Sequence, residues 1–309
     1  MNTSHQPPET YTRRVSVIIP TLHRDAPLRT VLRYFLEEES YQPFELIVID
    51  QSEQHDQATK AFLSAAAHRM IYVQADYKSL PRARNHGVRL ASGDIVVFVD
   101  DDAEPMRGFL AAHVAPYGDP RVVGVTGPVL APGQSLLSQV DIDPEHYRAL
   151  RSKGTMRFDV DFAFSASWAT GGNMSFRREL IGRVGGFDEN FYGAALGEDA
   201  EFSHRVKRMG GEIHYSPQAS IVHRPAGGGG CHDSASHEQY LDMLVDNVNY
   251  FWWKISQPDW VRYRQLWRVY RAVLHRKEPE QQAKGRLTVS FVRALWRSHT
   301  RLRNLAREA

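Results

Sequence analysis

The chain has 309 residues, 42% of them hydrophobic and 24% charged, with a formal net charge of +2. That balance is ordinary for a soluble globular protein with one large core or two modest ones. The single cysteine, Cys231, excludes an intramolecular disulfide and a cysteine-rich zinc site. The charge is uneven: from Phe251 onward fourteen Lys and Arg residues face four acids, a net of +10 that leaves −8 on residues 1–250.

In chain order, residues 1–13 are polar and Pro-containing and read as a disordered lead-in without the apolar core of a signal peptide. Val15–Ile19 reads as a buried strand closed by Pro20-Thr21, and Ala26–Glu39 as a helix with Leu28, Val31, Leu32, Phe35 and Leu36 on one face. Strands are expected at Phe44–Asp50, Met70–Gln74 and Ile95–Val99, with helices at Gln57–His68 and Pro81–Leu90 between them. This alternation predicts an α/β fold with a doubly wound, mostly parallel sheet.

Past Asp102 the rhythm changes. Val122–Thr126 is a further strand, Ala131–Asp161 is irregular, and Trp168–Phe176 returns to strand around Gly171-Gly172. Gly197–Met209 reads as a helix, with short strands at Glu212–Tyr215 and Ser220–His223. Gly227–Gly230, four glycines in a row, reads as a mobile hinge or loop. From about Ser236 the pattern is helical, aromatic and basic.

Three consecutive aspartates, Asp100, Asp101 and Asp102, end the apolar run Ile95–Val99. Ligand sites of open α/β sheets lie beyond the carboxyl ends of the strands. Three carboxylates there repel one another until a proton or a cation relieves them, and Mn2+ or Mg2+ takes such oxygens together with phosphate. Asp50 ends a second strand and can accept from a ribose hydroxyl or base N–H, or simply start a turn. Arg82, Arg84 and Asn85 suit phosphate or base contact, or a solvated helix face. Glu198 and Asp199 open a helix, as caps or as a general base facing the acids. His223 ends a strand, as a packed residue or a metal ligand. The chain has no Gly-x-Gly-x-x-Gly after its first strand and no Gly-Lys-Ser/Thr, which disfavours a dinucleotide fold and a P-loop and leaves phosphate neutralisation to a metal.

Seven motifs occur in order: Val17-Ile18-Ile19-Pro20-Thr21, Leu46-Ile47-Val48-Ile49-Asp50, Ala83-Arg84-Asn85-x-Gly87, Asp94-x-x-x-Phe98-x-Asp100-Asp101-Asp102, Gly171-Gly172-Asn173-Met174-Ser175-Phe176-Arg177-Arg178, Gly185-Gly186-Phe187-Asp188-Glu189 and Gly197-Glu198-Asp199-x-x-Phe202-x-x-Arg205. Over roughly residues 14–225 the set resembles the family-2 glycosyltransferases of the GT-A fold. The resemblance implies an inverting transferase using a nucleotide-diphosphate sugar and Mn2+ or Mg2+. It places Pro20, Thr21, Asp50, Arg84, Asp100 and Asp101 on the nucleotide, and Asp102 and His223 on the metal. It makes Asp199 the catalytic base, and places Gly171, Gly172, Asn173 and Glu198 at the donor-sugar and acceptor region. A Gln-x-x-Arg-Trp motif after Asp199 is absent, which argues against a processive synthase. A nucleotidyltransferase remains the rival enzyme, though Leu22-His23-Arg24-Asp25 lacks that class's glycine-rich loop, and a non-catalytic sugar-nucleotide-binding domain the rival outside enzymes.

The expected organisation is a lead-in over 1–13, a catalytic domain over 14–230 and a basic, aromatic helical extension over 231–309. No stretch approaches the ~20 apolar residues of a membrane span, so the expected location is cytoplasmic, with peripheral membrane contact through the extension. The aromatics Phe251, Trp252, Trp253, Trp260, Trp267 and Trp296, interleaved with arginines, suit either an interfacial membrane helix or packing on the catalytic domain or a second subunit. The expected acceptor is a glycan, a small molecule or a lipid-linked sugar. The acidic body disfavours nucleic acid.

Overall fold

The computed structural model describes residues 13–138, 158–224, 229–230, 237–255, 259–275 and 281–308. The bulk of the lead-in, much of the Ala131–Asp161 excursion, Gly227–Gly228 and Cys231 lie outside the described residues.

Among the described residues one eight-stranded sheet has the order β3-β2-β1-β4-β9-β6-β10-β8. Its strands are β1 (Val15–Thr21), β2 (Phe44–Asp50), β3 (Ile71–Gln74), β4 (Ile95–Val99), β6 (Val122–Thr126), β8 (Phe164–Ala166), β9 (Asn173–Arg177) and β10 (Glu212–Tyr215). β1 to β4 are parallel, whereas β9 runs antiparallel to both β4 and β6. Helices α1 (Asp25–Arg33), α2 (Gln57–Ala66) and α3 (Leu80–Leu90) make the crossovers. The expected Ala26–Glu39 helix runs on past α1 as a π-helical stretch, Tyr34–Glu38, closed by Glu39 N donating to Tyr34 O at 2.9 Å.

The period-two alternation of buried strands divides the core into two faces. Val15, Val17, Ile19, Val97 and Val99 pack with Leu28, Val31, Leu32 and Phe35 of the α1 region. Ile18, Val96, Phe98 and Met174 pack on the other side with Ala83 of α3 and with Phe202 and Val206 of α6 (Glu198–Arg208). Pro20 lies inside β1 rather than after it, paired in register with Ile49 of β2. Pairing to β4 stops at Ile18–Phe98, so the strand end is edge-like on that side and tolerates a residue without an N–H.

A second sheet has the order β5-β11-β7, from Ala103–Pro105, Ile221–His223 and Val129–Leu130. Its register sets His223 opposite Ala103, beside the aspartate turn. Short helices α4 (Phe109–Val114) and α5 (Arg178–Arg183) flank the large sheet. The extension forms α7 (His237–Lys254), α8 (Asp259–His275) and α9 (Gln281–Glu308). Leu241 and Val245 of α7 meet Leu266 of α8 and Phe291 and Ala294 of α9. Tyr250 and Leu302 close over Phe191 and Ala195, fastening the extension to the loop before α6.

Candidate active site

The site lies beyond the carboxyl ends of β1, β2 and β4. Thr21 and Asp50 sit opposite each other at the ends of their strands. The buried Asp50 carboxylate accepts from Ser52 N at 2.8 Å and Tyr72 OH at 2.6 Å, and meets His55 Nε2; the other ring nitrogen of His55 meets Asp25. Burial lowers the His55 pKa, but hydrogen bonds and charge from Asp25 and Asp50 outweigh it and leave His55 raised. Beside Asp50 opens a cavity of about 500 Å3 lined by Gln51, Ser52, Gln74, Tyr77 and Lys78.

The three aspartates face three ways. Asp101 is turned inward, accepting from Thr21 Oγ1 at 2.6 Å and from Arg24 Nη1 at 2.8 Å. Burial pushes its carboxyl up to about 6, against the pull of Arg24. Asp102 accepts from the same Arg24 nitrogen at 2.6 Å through Oδ2. Its other oxygen is buried and lies 3.3 Å from His223 Nε2, within ion-pair reach. Burial raises Asp102, but His223 and Arg24 reverse that and hold it below the usual carboxylate value. Asp102 in turn holds the His223 imidazole above its ordinary value. A buried carboxylate oxygen beside an imidazole nitrogen fits a divalent cation. Among the described residues no cluster of three or more such ligands forms.

Asp100 points toward the site's other half. Arg84, fully buried in α3, reaches Asp100 Oδ1 at 3.6 Å, donates to Gly171 O at 3.0 Å and pairs with Glu198 Oε1. Burial raises Asp100 and pushes Glu198 up to about 7, with Arg84 opposing both. Glu198 Oε2 is buried without a hydrogen-bond partner. Asp199, the next residue, accepts from Gly171 N at 2.9 Å and from Ala200 N at 2.7 Å, which fixes both its oxygens.

The glycine pair makes this convergence sterically accessible. A Cβ on Gly172 would stand 2.4 Å from Asp100 Oδ2, and one on Gly171 2.9 Å from Arg84 Nη2. Asn173 does not face the pocket. Its amide is fully buried, donating to Pro128 O at 2.9 Å and Ala219 O at 2.8 Å and bonding His113 Nε2 through Oδ1. It fixes the β9 turn from inside. Pro20 is likewise strand interior, and Thr21 is spent on Asp101.

Sequence reasoning missed Arg24, His55 and Tyr72. The signal for Arg24 was indirect, since three adjacent carboxylates need a nearby cation. Gly229 and Gly230, read as part of a mobile hinge or loop, are buried against it: a Cβ on Gly230 would come within 2.5 Å of Arg24 Nη2, and Gly230 N donates to Leu22 O at 2.7 Å.

The GT-A architecture and the acids at its strand ends define a class, and comparison with known proteins gives its family. Residues 16–185 match the family model described as glycosyl transferase family 2, more than half of the chain, and the chain belongs to that family. It is 27% identical over 214 residues to the pre-mycofactocin glycosyltransferase of Mycobacterium tuberculosis, covering 68% of this chain and 43% of that protein. It is 28% identical over 282 residues to the validoxylamine A glucosyltransferase of Streptomyces hygroscopicus subsp. limoneus, covering 81% of this chain and 57% of that one. The chain thus spans about half the length of these relatives. Among solved structures it superposes on a mannosyltransferase from Pyrobaculum calidifontis in complex with GDP-Man and Mn2+, with a TM-score of 0.56 and 20% identity, covering 94% of this chain and 76% of that one.

Proposed function

We propose that the protein is an inverting, divalent-metal-dependent glycosyltransferase that moves one sugar from a nucleotide-diphosphate sugar to an acceptor hydroxyl. The observation that carries this reading is the Gly171-Gly172 turn, which joins Arg84, Asp100 and Asp199 within direct contact. A phosphate-side acid, a buried cation and a candidate base thereby share one wall.

In this reading residues 14–230 form the catalytic domain and 231–309 its extension. The cavity beside Asp50 takes the base and ribose, with Asp50 and Asp100 accepting from hydroxyls or base N–H groups. Asp102 Oδ1 and His223 Nε2 would hold Mn2+ or Mg2+, which when bound neutralises the diphosphate and improves it as a leaving group. Asp199 removes the acceptor proton as the oxygen attacks the anomeric carbon. The bond from that carbon to the diphosphate oxygen breaks in the same displacement, so the configuration inverts. Arg84 and Glu198 hold Asp100 and the Gly171 carbonyl in place while the substrates align. The neighbour solved with GDP-Man and Mn2+ supports the donor class and the metal.

The test is a panel of nucleotide sugars assayed for donor-dependent transfer or hydrolysis with Mn2+, with Mg2+ and after chelation. NMR of the product reads the anomeric configuration. Turnover that survives chelation overturns the metal assignment, and a retained anomer overturns the single displacement.

A further inference from the structure

The extension divides its aromatic residues sharply. Tyr250 and Trp253 of α7 pack against the catalytic domain. Trp260, Trp267 and Trp296 stay 63%, 57% and 71% exposed.

These three share one surface. Trp260 and Trp267 are seven residues apart on α8, as are Val289 and Trp296 on α9, with the exposed Val292 between. The two helices meet along a seam where Tyr263 stacks on His299 at 6.0 Å and Tyr270 packs on Phe291 at 4.8 Å. Trp267 leans on Tyr270 at 5.2 Å, so the α8 tryptophans border that seam on one side. Val292 and Trp296, one helical step from Thr288 and His299, border it on the other. An exposed apolar patch of this kind, spanning two helices, marks an interaction site.

Its rim is cationic. Arg264, Arg268, Arg271, Arg293 and Arg303 are all exposed, with the Arg264 guanidinium 5.0 Å from the Trp260 ring centre. Arg297 and Arg301 serve a different purpose, pairing with Asp242 and Asp246 of α7. The only acids of α8 and α9 are their terminal residues, Asp259 and Glu308.

We infer that this face is a docking surface for an anionic lipid bilayer, lying in the headgroup region with the tryptophans inserted and the arginines on lipid phosphates. Tryptophan prefers that interface, and arginine adds attraction to acidic headgroups. A second copy meeting the same face would oppose arginine to arginine, whereas an anionic bilayer complements it. No described helix is long and apolar enough to cross a membrane, so the contact lies along the surface. The consequence is an acceptor presented at a membrane, and the surface stands whatever the donor chemistry.

The experiment floats the full-length protein with vesicles of phosphatidylcholine alone and of phosphatidylcholine with phosphatidylglycerol, at low and high salt. Binding is expected on the mixed vesicles, weakened by salt, with each engaged arginine contributing about fivefold in partitioning. The triple variant Trp260→Ala, Trp267→Ala, Trp296→Ala should lose about tenfold or more while keeping its melting temperature and far-UV spectrum. No binding at low salt overturns the inference. So does undiminished binding by the triple variant, or a wild-type dimer in sedimentation that the triple variant abolishes, since a second copy then covers the face.

Discussion

Arg24 donates from Nη1 to Asp102 Oδ2 at 2.6 Å, so the aspartate turn carries a counter-ion from within the chain. The same nitrogen serves Asp101, and Gly229-Gly230 close behind it. The sequence separation of 78 residues hid this pair, although it shapes the electrostatics of the whole turn.

Arg24→Ala should therefore change cation binding before it changes chemistry. With the guanidinium gone, Asp101 and Asp102 regain an unneutralised charge, and Mn2+ affinity without nucleotide should rise about tenfold. Electron paramagnetic resonance of free Mn2+ measures this directly. A lower affinity would mean that Arg24 organises the acids instead of competing for them.

Asp199→Asn removes the proton acceptor and keeps the shape, though its single amide oxygen can accept from only one of Gly171 N and Ala200 N. Its kcat should fall by about 10²–10⁴ while donor affinity stays near wild type. Near-normal turnover would move the base elsewhere, and Glu198, raised to about 7 with one free oxygen, is the next candidate.

Gly172→Ala drives a methyl group to within 2.4 Å of the Asp100 carboxylate. Asp100 must rotate away from Arg84, so donor affinity measured by calorimetry should weaken by about tenfold or more, with a stability cost of about 1–3 kcal/mol. Unchanged donor affinity would remove Asp100 from the nucleotide site.

Asp188 anchors the extension to the catalytic domain: Tyr250 OH donates to Oδ2 at 2.6 Å, and Lys254 reaches the same oxygen. Burial raises the carboxyl, but Lys254 and Tyr250 overturn that and pull it down to about 2. A depressed carboxyl stabilises the fold above its unfolded value near 3.8, and that stability is lost as pH falls toward 2. The contribution is about 2 kcal/mol. Asp188→Asn should melt earlier than wild type at neutral pH, with the gap closing between pH 4 and 2. A gap independent of pH would assign the loss to packing.

The parallel strands and the aspartate turn were legible because each is a short contiguous apolar run with its functional residues at the end. Val122–Thr126 and Glu212–Tyr215 match the reading residue for residue. What stayed hidden depended on distant partners. Gly227–Gly230 read as a mobile hinge or loop, and nothing local reveals Arg24 against Gly229-Gly230. Asn173 read as pocket lining because its carbonyl partners, Pro128 and Ala219, lie 45 and 46 residues away. For the aromatics of the extension the sequence left membrane contact and packing both open, and tertiary packing buries Tyr250 and leaves Trp260 in the open.

The Asp188–Lys254 link also sets an order in time. Lys254 bridges Asp188 to Glu201, which sits in the same helix as Glu198 and Asp199. Translation delivers the Glu198-Asp199 motif first and its brace some fifty residues later. A nascent chain can hold every motif through Arg205 and still lack the cation that ties this helix to the loop before it. The brace on this helix is thus encoded in α7, after every motif it supports.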